Sequence, residues 1–288
     1  MTLFKEEIMG LMINTNVEAL NAYRNLSGTQ GSLAKSLERL SSGLRINRAA
    51  DDAAGLSISE NLKSQINGFK RASTNAQDGI SLIQTAEGAL NETTNLLQKV
   101  RSLAVQAANV GANDQAARDA IGREVTQSLA EIDRIASATV FGSKSLLDGS
   151  ATAGFTFHVG YNGSSFNQLN VKVNATNSSS LGLTSATITA AITGGTASSW
   201  LTSIDNALAS ITSTRSSLGS YQNRLESTIA NLGVAVENLS ASRSRIVDTD
   251  MADEMTNFSK QQILQQAGTA MLAQANSLPN SVLQLLRG

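Results

Sequence analysis

The sequence predicts a mainly α fold, a long antiparallel coiled-coil or helical-bundle rod with a small β-hairpin patch in the middle of the chain. Three observations predict it. The first is a seam of Ile204, Leu208, Ile211, Arg215, Leu218, Gln222, Leu225, Ile229, Leu232, Val236, Leu239, Arg243 and Ile246, stepping by 4 and 3 for six heptads. A repeat of 3.5 residues puts one narrow stripe along a helix, and that stripe must be buried against another helix. The second is composition. Pro279 is the single proline and aromatics are 4% of the 288 residues. Ala, Leu and Gln are plentiful, and such side chains lose little freedom in a helix. The third is a period-two alternation confined to Phe155–Val173.

The elements follow in order. Leu33, Leu37, Leu40 and Leu44 step by 4, 3 and 4 along one helix face. Ser41-Ser42-Gly43 weakens that helix, since Gly costs about 1 kcal/mol relative to Ala, so a break falls between Ser41 and Asp52. A second helix starts near Ala53 with Leu56, Leu62, Ile66 and Phe69, and continues through Ile80, Ile83, Leu90, Leu97, Val100 and Leu103 to about Asn109. Val110-Gly111-Ala112-Asn113-Asp114 reads as a turn with Asp114 as N-cap. The third helix, Gln115 to Ala138, carries Ile121, Val125, Leu129, Ile132 and Ile135 on one side.

Phe155, Phe157 and Val159 then alternate with Thr156 and His158, and Leu169, Val171 and Val173 alternate with Asn170 and Lys172. Gly160-Tyr161-Asn162-Gly163 between them makes this a hairpin with a long loop. Asn174–Ser199 is rich in Ser, Thr, Ala and Gly, which reads as an exposed segment. Helix resumes through the heptad seam and again from Met251 to about Leu278. Both ends are apolar-striped, and a stripe of this kind is covered either by partner molecules or within an intramolecular bundle. The pattern leaves both open.

Composition excludes several functions. Net charge is −1, which removes the electrostatic case for nucleic acid or anionic membrane partners. There is no cysteine and one histidine, His158, so thiolate and His-cluster metal sites are unavailable and no cofactor is expected. No apolar run reaches the ~18 residues of a membrane span, and Met1–Leu11 lacks the basic and apolar regions of a signal peptide. The Asp51-Asp52 and Asp248/Asp250 carboxylates read as helix caps rather than acid–base pairs, and no phosphate-binding glycine loop occurs. The chain is not expected to be an enzyme.

The residues then carry a specific resemblance. SSGLRINRAADDAAG (Ser41–Gly55), with Leu56-Ser57-Ile58 after it, resembles the N-terminal signature of bacterial flagellin, and so do Met12–Asn16 and NAQDGISLIQTAEGALNE (Asn75–Glu92). At the far end RSSLGSYQNRLEST (Arg215–Thr228), SRIVDTDMADEM (Ser244–Met255) and KQQILQQAGTAMLAQANSLPNSVLQLLR (Lys260–Arg287) agree in order and spacing. The resemblance implies a minimal filament subunit without large outer domains. Residues 13–47 and 247–288 would be inner-core helices. Residues 48–182, with the hairpin at 154–174, and residues 200–246 would form the rod. Residues 183–199 would be the exposed segment. Residues 1–12 would be an upstream extension or a misassigned start, with initiation at Met12 favoured because an extra arm would crowd the filament lumen.

Function follows from the same resemblance. The terminal helices would order on polymerisation and pack through Leu33, Leu37, Leu40, Leu264, Met271, Leu272, Leu285 and Leu286. Arg45, Arg48, Asp51 and Asp52 would form an ion-pair network at the junction of inner core and rod. Gln98, Lys99, Arg101, Leu103, Gln106 and Glu124 match a surface used for axial contacts and by the flagellin-sensing Toll-like receptor of animals. Recognition there would be weakened, since Lys99 replaces an arginine and lacks its planar fork. Partners would be further copies of the chain, a flagellar export chaperone, and cap and hook-associated proteins. The product would be secreted by the flagellar type III route without a cleaved leader and would reside in the flagellum. A hook–filament junction protein is the alternative.

Overall fold

The structure, a computed structural model, describes residues 15–184, 188 and 197–285, without the side chains of 151, 152, 197–199 and 278–285. The 1–12 arm, most of the segment 185–196, Leu286 and the Leu285 side chain lie outside the described residues. The fold is mainly α. The helices are α1 (Val17–Ser42), α2 (Ala53–Ala108), α3 (Gln115–Ala138), α4 (Ala197–Val247) and α5 (Met251–Leu285). Two compact units form, Met1–Lys63 with Ser240–Gly288 and Ser64–Leu239. The boundaries of these units fall within α2 and α4.

In the central unit α2 and α4 run antiparallel. Leu225 lies against Gly79, Arg215 faces Glu87 at 3.6 Å, and Arg101 Nε donates to Asp205 at 2.7 Å. The heptad seam is the buried stripe. Ile204, Ile211, Leu218 and Leu225 are fully enclosed, and its remaining members stay buried or half-buried to Ile246. Facing them are Ile83, Leu90, Leu97 and Val100 of α2, with Ile121, Val125, Leu129 and Ile132 of α3 in the same cluster. α3 begins where Asp114 accepts from Ala117 N at 2.7 Å, as its spacing predicts.

The hairpin pairs β3 (Phe155–His158) with β4 (Gln168–Val171) in the register Phe155↔Val171 to His158↔Gln168. It docks on α2 within the central unit. Asn75 Nδ2 donates to the His158 carbonyl at 2.9 Å, Tyr161 meets Phe69 edge-on at 5.0 Å, and a Cβ on Gly68 would strike the Tyr161 backbone. A second, smaller hairpin joins β1 (Val140–Phe141) to β2 (Lys144–Ser145) across Gly142-Ser143, with Gly142 at φ +61°. Two-residue strands are too short to show a period, so this one escaped the sequence pattern, although Gly-Ser is a hairpin turn pair.

The exposed segment is corrected where it is described. Thr176, Leu181, Leu183 and Ile188 are buried, the last three in the central core. The Asp133 carboxylate takes both the backbone N–H and the hydroxyl of Ser178, each at 2.7 Å. Asn177 caps the next turn by accepting from Ser180 N, and Gly182 at φ +72° ends it. Small polar residues here satisfy one tight turn, while four apolar or β-branched residues among them anchor it. A compositional reading averages those anchors away.

Candidate assembly surface

The terminal unit pairs α1 with α5. Asn16 caps α1 by accepting from Ala19 N at 3.0 Å and reaches the Ala275 carbonyl at 2.7 Å. Leu26 fits against Gly268, where a Cβ would sit 3.2 Å from its Cδ1. Arg39 pairs with buried Glu254 at 3.3 Å. Partners thus climb α1 as they descend α5, an antiparallel arrangement. Among the described residues of this unit the only large apolar side chains that are buried are Leu26, Ile46 and Val247.

Much apolar surface is left uncovered. Leu37 is 58% exposed, Leu264 44% and Met271 65%. Val17, Leu20, Tyr23, Ile58, Met251, Met255 and Ile263 are also exposed. Leu33, Leu40 and Leu272 are half-buried. Burying a large apolar side chain is worth roughly 1.5–3 kcal/mol, so covering these residues with a partner would be favourable.

At the end of α1 the chain turns through a latch. Gly43, at φ +72°, caps the helix by donating to the Arg39 carbonyl at 2.8 Å. Arg45 N donates to the Val247 carbonyl at 2.6 Å, Thr249 N to that of Gly43 at 3.0 Å, and Leu44 pairs with Asp248. Asp52 accepts from Gly55 N at 2.9 Å and caps α2. Gly55 suits this close approach, because a Cβ would lie 2.4 Å from Asp52 Oδ2 and 2.8 Å from Ile46 Cδ1 and would push both side chains aside. Asp250 caps α5 in the same way, accepting from Ala252 N at 2.9 Å.

The four junction residues are close in the chain, but neither arginine side chain forms an ion pair with Asp51 or Asp52; Asp51 and Arg48 meet only through backbone groups. Asp51 accepts from Lys35 at 2.7 Å and from the backbone N–H groups of Asn47 and Arg48. Arg48 pairs with Glu38 at 2.9 Å. The Arg45 guanidinium donates to the Ile246 carbonyl. The expected mutual network is therefore corrected to a set of separate ties from the loop to α1 and to the end of α4. Lys35 and Glu38 were not singled out in the sequence, although both stand on α1 within reach of the turn. The Arg39–Glu254 pair, far apart in sequence, left no local signal.

Lys35 and the two backbone donors hold the Asp51 carboxyl down to about 2. A depressed carboxylate stabilises the fold at pH above its unfolded value near 3.8 and loses that contribution as pH falls through about 2. Asp51→Asn is expected to speed backbone hydrogen exchange at Asn47 and Arg48 at neutral pH. It is also expected to remove the acid-induced rise in exchange that the unaltered chain shows between those two values. Identical profiles for both chains would refute the Asp51 tie to Asn47 and Arg48.

The last set of sequence-selected residues divides by helical phase. Gln98, Lys99, Arg101, Gln106 and Glu124 are exposed, with Lys99 paired to Glu124 at 2.8 Å. Leu103 is 9% exposed and belongs to the core cluster with Val100, Ala104 and Ala107. Its spacing of three and four from these residues turns it inward, so it leaves the proposed contact surface.

A mainly helical chain whose two ends pair yet leave large apolar side chains exposed fits a structural subunit of a self-associating assembly. The comparisons with known proteins agree. Residues 13–152 match the bacterial flagellin N-terminal helical region, and residues 201–286 match the bacterial flagellin C-terminal helical region. The chain is 45% identical to a flagellin of Bacillus subtilis (strain 168), over 96% of its own length and all of that protein. It is also 45% identical to the flagellar filament 33 kDa core protein of Treponema phagedenis, with the same coverage. The chain belongs to the bacterial flagellin family. It is a minimal member, a structural subunit of the flagellar filament that assembles with copies of itself.

A solved structure of a putative flagellar hook-associated protein from Vibrio parahaemolyticus matches 69% of the chain and all of its own with a TM-score of 0.58. At 13% identity that likeness shows the fold alone and does not favour the junction-protein alternative.

Proposed function

We propose that the filament contacts of this subunit are made by the apolar residues its terminal unit leaves uncovered, with Leu37, Leu264 and Met271 central and Leu33, Leu40 and Leu272 completing their burial. The exposure of these side chains beside a thin α1–α5 interior carries this reading. In it the termini, with Leu285 and Leu286 at the far end, order fully only at the growing tip. Ordering costs about 1–2 kcal/mol per backbone residue, and burial against neighbouring copies offsets it. The division of labour is that residues 13–47 and 247–288 form the inner core, and the 48–182 and 200–246 stretches form the rod. The Arg45, Arg48, Asp51 and Asp52 turn holds the angle between helices by its backbone and α1 ties.

Transit would be through the flagellar type III channel, with an export chaperone before release and cap and hook-associated proteins at the filament ends. Gln98, Lys99, Arg101, Gln106 and Glu124 would serve first as axial contacts. Weakened detection by the flagellin-sensing Toll-like receptor is the finer reading of that surface. Lys99 and Arg101 already have intrachain partners in Glu124 and Asp205, which a receptor would have to displace.

The test is seeded growth. Purified chain added to short sheared filaments is expected to extend them, seen by negative-stain electron microscopy. Soluble chain with no extension, under salt conditions that support other flagellins, would refute assembly through this surface.

A further inference from the structure

The chain has two Asn-Gly steps, Asn67-Gly68 and Asn162-Gly163, and the fold treats them in opposite ways. Asn67 lies inside α2, where each backbone N–H is committed along the helix axis to the carbonyl four residues back. Asn162 lies in the exposed loop between β3 and β4, and nothing stands within 4 Å of where a Cβ on Gly163 would be. Its side-chain Oδ1 accepts from Ser164 N–H at 3.4 Å. That Asx-type contact folds the carboxamide back over the intervening Gly163 peptide. A second donor, Asn167 Nδ2, also reaches Oδ1 and donates to the Asn162 carbonyl at 3.2 Å. Asn167 is itself held, its carbonyl receiving Val159 N–H at 2.7 Å.

We propose that Asn162 is a self-modifying site, losing its side-chain amide to attack by the backbone nitrogen of Gly163. The Gly163 nitrogen gives its proton to solvent base and bonds to Asn162 Cγ. The Cγ–Nδ2 bond then breaks, and the amide leaves as ammonia after taking a proton from water. Water next opens the succinimide ring at Cγ or at the backbone carbonyl carbon, leaving an aspartyl or isoaspartyl residue. Negative charge develops on Oδ1 in the tetrahedral intermediate, where Ser164 N–H and Asn167 Nδ2 already point, the arrangement of an oxyanion hole. The product places a carboxylate in an exposed loop that also carries Phe166, which is 96% exposed. The isoaspartyl form also lengthens the backbone next to Tyr161, which packs on Gly68 and Phe69. A subunit fixed in a filament would thereby carry a chemical mark of its age.

The experiment incubates the folded full chain at neutral to mildly alkaline pH, quenches samples in acid and digests them briefly under mildly acidic conditions. Mass spectrometry follows the tryptic peptides Ser64–Lys70 and Ser145–Lys172. The expected result is a growing amide-to-acid mass gain at position 162 and none at position 67. In denaturant both steps should react alike. Gly163→Ala and Asn167→Ala are each expected to slow the reaction about tenfold, less than the loss of a donor from a water-excluded oxyanion hole. Ser164→Pro removes the other donor while keeping its backbone, since Ser164 already sits at φ −67°, and should also slow it. No gain at position 162, or equal gains at 67 and 162 in the folded chain, would overturn the proposal. So would unchanged rates in both donor variants.

Discussion

Chain carrying Leu264→Ser and Met271→Ser together is expected to stay monomeric when added to sheared seeds of the unaltered protein, while its own helices remain intact. Both side chains are exposed in the single chain, Leu264 at 44% and Met271 at 65%, and exposed substitutions of this kind usually shift stability by no more than about 0.5 kcal/mol each. The loss falls on assembly. Each residue has roughly half its surface still to bury, worth about 1–2 kcal/mol. Together they forfeit about 2–4 kcal/mol, which raises the concentration needed for growth about thirty- to a thousandfold. Electron microscopy of seeded reactions and circular dichroism of the soluble fraction read the two halves of this prediction. Growth at the unaltered critical concentration would show that these side chains make no filament contact.

The opposite outcome is expected in the central unit. Leu90→Ala and Leu97→Ala remove side chains that are fully enclosed between α2 and its neighbours. Each is expected to cost about 2–5 kcal/mol, from lost transfer energy plus the cavity left behind. That is a large part of a domain's net stability of about 5–15 kcal/mol. Urea denaturation should show a clear fall in midpoint for each single variant, and the double variant should fail to fold at physiological temperature. A fall of less than about 1 kcal/mol would mean that the core collapses around the vacancy far better than buried leucine sites usually do. The two experiments separate the halves of the molecule: one leaves the fold and stops assembly, the other attacks the fold first.

The contrast also explains what could be read in advance. Long helices were legible because their signals are local and repeated. The heptad seam is buried where its spacing placed it, the Gly43 break and the Asp114 cap stand where their residue types demanded, and Phe155–Val173 alternates because one face of that hairpin packs on α2. The hairpin at Gly142-Ser143 was illegible because two residues per strand define no period. The segment after Asn174 was misread because Leu181, Leu183 and Ile188 are too sparse to shift a composition rich in Ser, Thr and Gly. At the junction, the charged cluster was visible, but partner choice depends on which groups α1 and the end of α4 bring alongside.

By itself the sequence determined that this protein is helical, that its two ends carry apolar stripes, and that it has the blocks of a flagellin in their order. Periodicity, capping chemistry and turn residues act over a few positions, so they are written locally. Only the tertiary structure decided which stripe residues are satisfied within the chain and which remain open. Leu97 and Leu103 are enclosed while Leu264 and Met271 are not, and Asp51 forms its ion pair with Lys35 rather than with a neighbouring guanidinium. Burial and pairing depend on surfaces that meet across some two hundred residues of chain, as Arg39 meets Glu254, and no local pattern specifies which surfaces those will be.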